Sequence, residues 1–140
     1  MRIIRLFTTL FVLTVFVVEA GEPRFEDGNV LLHSCKSAIA TYDSNRGTSE
    51  SMAETMRCAG YLSGFSDGYV AGIVEAQKRL EKRGIKVTLK DLDSLCGMQD
   101  TPVIQRARML VKKLEERPEI LHYPAAVLTG IIMGSYFHCK

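Results

Sequence analysis

Between Asn29 and Tyr42 the apolar and small residues return every three or four positions, as Val30, Leu31, Ser34, Cys35, Ala38 and Ile39. That period places them on one face of an α-helix. The polar stretch YDSNRGTSE then interrupts the pattern. Ser51 and Glu54 have the spacing of a capping box, so a second helix is expected from about Met52 to Lys82, with Gly84 as its C-terminal stop. Lys78, Arg79, Lys82 and Arg83 crowd its last turns, where positive charge complements the helix dipole; this cluster reads as a solvated helix end. IKVTLKDLDSLC fits either a short helix capped by Thr88 or an extended connector. Thr101 and Pro102 read as N-cap and first residue of a third helix. Its apolar side is Val103, Ala107, Leu110, Val111 and Leu114, and Pro118 ends it. HYPAAVLTGIIMGSYFHC supplies a fourth, with Pro124 near its first position. The pattern predicts an all-α fold, a single small domain of about four main helices in two hairpins.

The N-terminus is different in kind. Arg2 and Arg5 precede an apolar run from Leu6 to Val18, and VEA ends at Ala20 with small residues three and one before a cut. This is the layout of a secretory signal peptide over residues 1–20, leaving a helical domain over 21–140. The run falls short of the ~20 residues a membrane-spanning helix needs. Removing Arg2, Arg5 and Glu19 lowers the formal charge from +2 to +1. A nearly neutral chain gives no electrostatic support for binding nucleic acid or anionic membranes. The expectation is a periplasmic protein with no nucleic-acid partner and no membrane attachment after cleavage.

Cys35, Cys58, Cys96 and Cys139 all follow the expected cut. An even count in an exported chain points to disulfides. The rival, a four-thiolate zinc site, usually brings its ligands in close pairs such as C-x-x-C, and none occurs here. A hairpin of helices one and two turns near residues 43–50 and brings Cys35 to Cys58. A hairpin of helices three and four returns Cys139 to Cys96. The expected pairs are therefore Cys35–Cys58 and Cys96–Cys139, cross-linking both hairpins.

GYLSGFSDGYVAG places Gly60, Gly64, Gly68 and Gly72 in an i, i+4 row on the second helix. Each interior glycine costs about 1 kcal/mol relative to alanine. The row forms an oblique groove that another backbone could enter at the commonest helix-crossing angle. Gly130 and Gly134 have the same spacing on the fourth helix. The expectation is that helices two and four cross at these six glycines, so that leucine at Gly64 or Gly68 would unfold the domain. A homodimer seam is the competing use of the row. Disulfides, at ~2–4 kcal/mol each, are large enough to offset the glycines.

Candidate chemistry is sparse. His33, His122 and His138 form no zinc-ligand motif; His33 and His138 read as surface or packing residues, and His122 as part of the turn before helix four. No nucleophile elbow, phosphate loop or dinucleotide fingerprint occurs. Bridged cysteines leave no thiol nucleophile. Asp67, within the glycine row, would be functional only if buried without a partner. The expectation is a non-enzyme with no catalytic residues, no cofactor and no metal.

The segments NVLLHSC, CAGYLSGFSDGY, LC, LEERPEILHYPAAVL and the closing FHC, in that order, resemble the Rap/Tai family of small secreted immunity proteins. The resemblance covers about Asp27 to Cys139. Its most specific parts are Cys58 with Gly60, Tyr61 and Gly64, and the turn Pro118…His122–Tyr123–Pro124–Ala125. It implies an all-helical, disulfide-bonded periplasmic protein, often a dimer, that neutralises a peptidoglycan amidase delivered by type VI secretion. Such members dock on the amidase and occlude its active-site cleft. The chain departs from the family at Met98, at DTPVIQ and at His138 before Cys139. These departures fall in loops, which carry partner specificity, and the residues that contact a partner stay unknown at this level. The exposed segments 43–50 and 84–100 are the candidates to fill an enzyme's groove. The alternative function is a periplasmic stress or acid-resistance chaperone with no toxin partner.

Overall fold

The computed structural model describes residues 27–139; the expected leader at 1–20 lies outside them. The helices are α1 (Gly28–Ser44), α2 (Ser49–Lys82), α3 (Leu89–Leu92), α4 (Val103–Glu116) and α5 (Ala125–Phe137), with a 3₁₀ turn at Pro118–Ile120. Among the described residues there is no strand, and Leu95 and His138 form an isolated antiparallel bridge. The all-α expectation holds, and the ambiguous segment contains a helix of a single turn.

Local chemistry accounts for the boundaries. Asp27 caps α1 by accepting hydrogen bonds from the Asn29 and Val30 amides at 2.8 and 3.1 Å, and Asn45 ends it in the left-handed region at φ 51°. Thr48, rather than the expected Ser51, caps α2. Its hydroxyl accepts from the Ser51 amide at 3.2 Å, and the Ser51 hydroxyl accepts from the Thr48 amide at 2.9 Å. Glu54 is thereby released from capping. It accepts from the buried Ser34 hydroxyl and pairs with Arg57 at 3.0 Å, tying α2 to α1. Gly84 follows α2 at φ 78° as expected. Thr88 caps α3 reciprocally with Asp91. At α4 the expectation moves by one residue: Pro102 is the N-cap with no side-chain bond, and the Thr101 hydroxyl donates backward to the Gly97 carbonyl at 3.0 Å.

α1 is the centre of the molecule, packed on α2 and α4 and touching α5. Of its predicted inner face, Leu31, Ser34, Cys35 and Ala38 reach the interior and Ile39 is partly buried against it, while Val30 is exposed. α2 contributes Cys58 and Leu62, α4 contributes Ala107, Leu110 and Leu114, and α5 contributes Leu128, Ile132 and Met133. Each fully buried Leu or Met of this set contributes about 1.5–3 kcal/mol. Both disulfides form as the hairpins require, Cys35–Cys58 and Cys96–Cys139, each with Cα atoms 5.1 Å apart.

The glycine expectation is overturned. A Cβ built on Gly60, Gly64, Gly68, Gly72 or Gly130 meets nothing within 4 Å, and one on Gly134 meets only Leu95 Cδ2 at 4.0 Å. α2 does not cross α5 backbone to backbone; the two meet through a 3.1 Å hydrogen bond between the Tyr61 and Thr129 hydroxyls. The reason is rotational. Residues two apart on a helix point about 200° from each other. The bridge at Cys58 turns the row Cys58, Leu62, Ser66 inward, so the row beginning at Gly60 faces out.

Candidate functional site

Three surfaces stand out. The first is the outer face of α2, where Met52 and Met56 lead the i, i+4 row into Gly60, Gly64, Gly68 and Gly72. All six are exposed, Met56 by 71%. Asp67 is exposed on the same helix, which removes the premise of a buried catalytic carboxylate.

The second lies between the 117–124 turn and α5. Arg117, Ile120, Tyr123, Val127, Leu128, Ile131 and Ile132 line an apolar groove of about 220 Å³. Ile131 is 66% exposed, and Tyr123 and Val127 are each about half exposed. The start of α1 holds the turn in place. The Gly28 amide donates to the Leu121 and Tyr123 carbonyls at 2.9 and 3.1 Å, and Asn29 Nδ2 donates to Leu121 O at 3.3 Å. His122 is exposed beside Tyr123, their ring centroids 4.2 Å apart.

The third is the hairpin turn between α1 and α2. Ser37, Ala40, Thr41, Ser44, Arg46 and Thr48 line an open hollow of about 370 Å³ whose surface is more apolar than polar. This is the exposed 43–50 segment expected from the sequence. The 84–100 segment is only partly free, because Leu95 and Met98 are buried. Tyr69 anchors it from α2: its hydroxyl donates to Asp93 Oδ1 at 2.9 Å and accepts from the Ser94 amide at 2.6 Å.

Beneath α2 lies a polar layer that sequence reasoning missed. Arg106 on α4 is only 6% exposed. It donates from Nη1 to Leu62 O at 3.3 Å, while its Nε has no hydrogen-bond partner among the described residues. Burial pushes its pKa down, and the field of Asp67 pushes it back up. Ser66 donates to Gln99 Oε1 at 2.9 Å, and Gln99 Nε2 returns a bond to Ser66 O at 3.2 Å. Burial likewise raises the Tyr61 pKa against the lowering effect of its bond to Thr129. An arginine at a helical core register was the one available signal, four residues before Leu110 and one before Ala107.

His33, His122 and His138 are scattered and exposed. No group of three His, Cys, Asp or Glu side chains among the described residues could hold a metal ion. No described helix is long and apolar enough to cross a membrane.

Fold and surface together define the class: a small all-α scaffold of disulfide-linked helical hairpins that presents its exposed faces on a fixed frame. The family model of the Rap1a immunity proteins matches residues 27–139, and the chain belongs to that family. It is thereby an immunity protein, one whose partner is a secreted effector protein. No curated protein and no solved structure matches the chain.

Proposed function

We propose that this chain acts in the periplasm, where it binds a peptidoglycan amidase delivered by type VI secretion and occludes the enzyme's active-site cleft. The observation that carries this reading is the family match over residues 27–139, which takes in both hairpins and all four cysteines. Two physical features support it. The two disulfides and the central α1 hold the exposed faces before any partner arrives, so little ordering entropy is lost on docking. The exposed Tyr123, about half in water beside Ile131, is of a residue type that anchors protein interfaces. Inhibition then needs no chemistry from the immunity protein.

The deciding experiment titrates a peptidoglycan amidase effector of type VI secretion with purified protein and follows peptidoglycan cleavage. The expected result is loss of activity that ends at a fixed molar ratio. Absence of binding at micromolar concentration, together with suppression of client aggregation at low pH, would move the chain to the chaperone reading.

A further inference from the structure

The two disulfides occupy opposite environments. Cys35 and Cys58 are 0% and 1% exposed, enclosed with Leu31 and Leu62. Cys96 and Cys139 are both exposed, one on the connector after α3 and the other past the end of α5. Thiol–disulfide exchange requires a thiolate to reach a sulfur atom. At Cys35–Cys58 that access needs the core to open; at Cys96–Cys139 it does not.

The surroundings of the exposed bridge are held without it. Leu95 pairs with His138 through the backbone. Leu95 and Met98, one and two residues from Cys96, and Phe137, two residues before Cys139, are buried. Tyr69 anchors Asp93 and Ser94, and Gln99 is bonded to Ser66. Cys139 Sγ lies 3.1 Å from the Asp93 carbonyl oxygen, on the connector that carries Cys96. Breaking the S–S bond therefore leaves both sulfurs near each other on a folded molecule.

We propose that Cys96–Cys139 is a thiol–disulfide exchange site for dithiol reductants and disulfide oxidants of the exporting compartment, and that Cys35–Cys58 is closed to them. One thiolate of a dithiol attacks a sulfur of the bridge, a mixed disulfide forms, and the other cysteine leaves and takes up a proton. The second thiol of the dithiol then attacks the dithiol's own sulfur in the mixed disulfide, forming the reagent's disulfide and expelling the remaining cysteine, which takes up a proton. Cys96 and Cys139 are released as thiols. Two electrons pass from the dithiol to the bridge, and the reverse sequence closes it. The site is independent of the effector reading, because it rests on the exposure of Cys96 and Cys139 alone.

The test treats the intact exported chain with dithiothreitol at pH 8, quenches with iodoacetamide and maps the alkylated peptides while far-UV circular dichroism is recorded. Cys96 and Cys139 are expected to be alkylated at least about 100-fold faster than Cys35 and Cys58, because the buried pair waits for an opening that few molecules occupy. The helical signal is expected to stay unchanged during that first step, and oxidised glutathione added to an unalkylated sample freed of dithiothreitol is expected to restore the bridge. A smaller ratio, the reverse order, or alkylation of Cys96 and Cys139 only as the helices melt would overturn the proposal.

Discussion

Gly28 stands against Leu128 so closely that a Cβ on it would lie 2.5 Å from Leu128 Cδ1. The same Cβ would lie 2.9 Å from the Leu121 carbonyl oxygen and 3.0 Å from Leu121 Cα. The leucine methyl can rotate away, but the backbone at Leu121 cannot, since the Gly28 amide is bonded to it. Here, at the first residue of α1, a backbone approach depends on a missing side chain. Gly28→Ala is expected to destabilise the protein by about 1–3 kcal/mol, the usual range for overpacking. Urea unfolding checks this, and an unchanged midpoint would contradict it.

The long glycine row behaves in the opposite way. Nothing in the described structure requires glycine at Gly64 or Gly68, since a Cβ at either meets open space. Alanine there relieves the entropic penalty of an interior helical glycine, about 0.5–1 kcal/mol at each position. The double variant Gly64→Ala, Gly68→Ala should therefore unfold at higher urea than the parent. Loss of stability would restore the idea of a backbone packed on that face.

Arg106 carries a buried guanidinium whose Nε has no hydrogen-bond partner among the described residues. Replacing a buried charged group by an apolar one of similar length is often neutral or stabilising, whereas truncation loses the packing of the stem. Arg106→Met is expected to match or exceed the parent's stability. Arg106→Ala should lose about 2 kcal/mol or more through the space it leaves. If methionine proves as damaging as alanine, the charge itself is needed.

Acid should loosen α3 first. Hydrogen bonds from Thr88 hold the Asp91 carboxyl below the ordinary carboxylate range. A depressed carboxylate pKa contributes stability above that range and loses it as pH falls through the lowered value. Glu119 is held down in the same sense by Arg117, and both groups are exposed, so each effect is small. Protection factors of the amides over residues 88–95, taken relative to the intrinsic exchange rate at each pH, are expected to fall in acid before those of α1 and α4, and Asp91→Asn should remove this difference. Simultaneous loss of protection across all helices would count against it.

Much of this fold follows from short-range chemistry that the chain carries openly. Periodicity alone identifies most of the inner faces of α1 and α4, while Gly84 marks the end of α2, Pro118 the end of α4 and Pro124 the start of α5. The cap of α2 slipped by three residues because Thr48 and Ser51 both fit a box motif, and only the pairing of Glu54 with Ser34 and Arg57 decides between them. The glycine row was misplaced for a related reason: an i, i+4 repeat fixes which residues share a face but says nothing about where that face points. One clue was present. Cys58 is two residues from Gly60, hence on nearly the opposite side of the helix, and a bridged cysteine faces in.

The amino-acid sequence by itself determined the all-α class, the two hairpins and the pairing of the four cysteines, because helix periodicity, caps and hairpin closure act over short stretches of chain. Tertiary structure alone decided that α1 lies at the centre, that the glycines face outward, that Arg106 is enclosed, and that one bridge is buried while the other meets solvent. Those outcomes depend on how helices distant in the chain rotate against one another, and burial belongs to that assembled arrangement rather than to any segment of it.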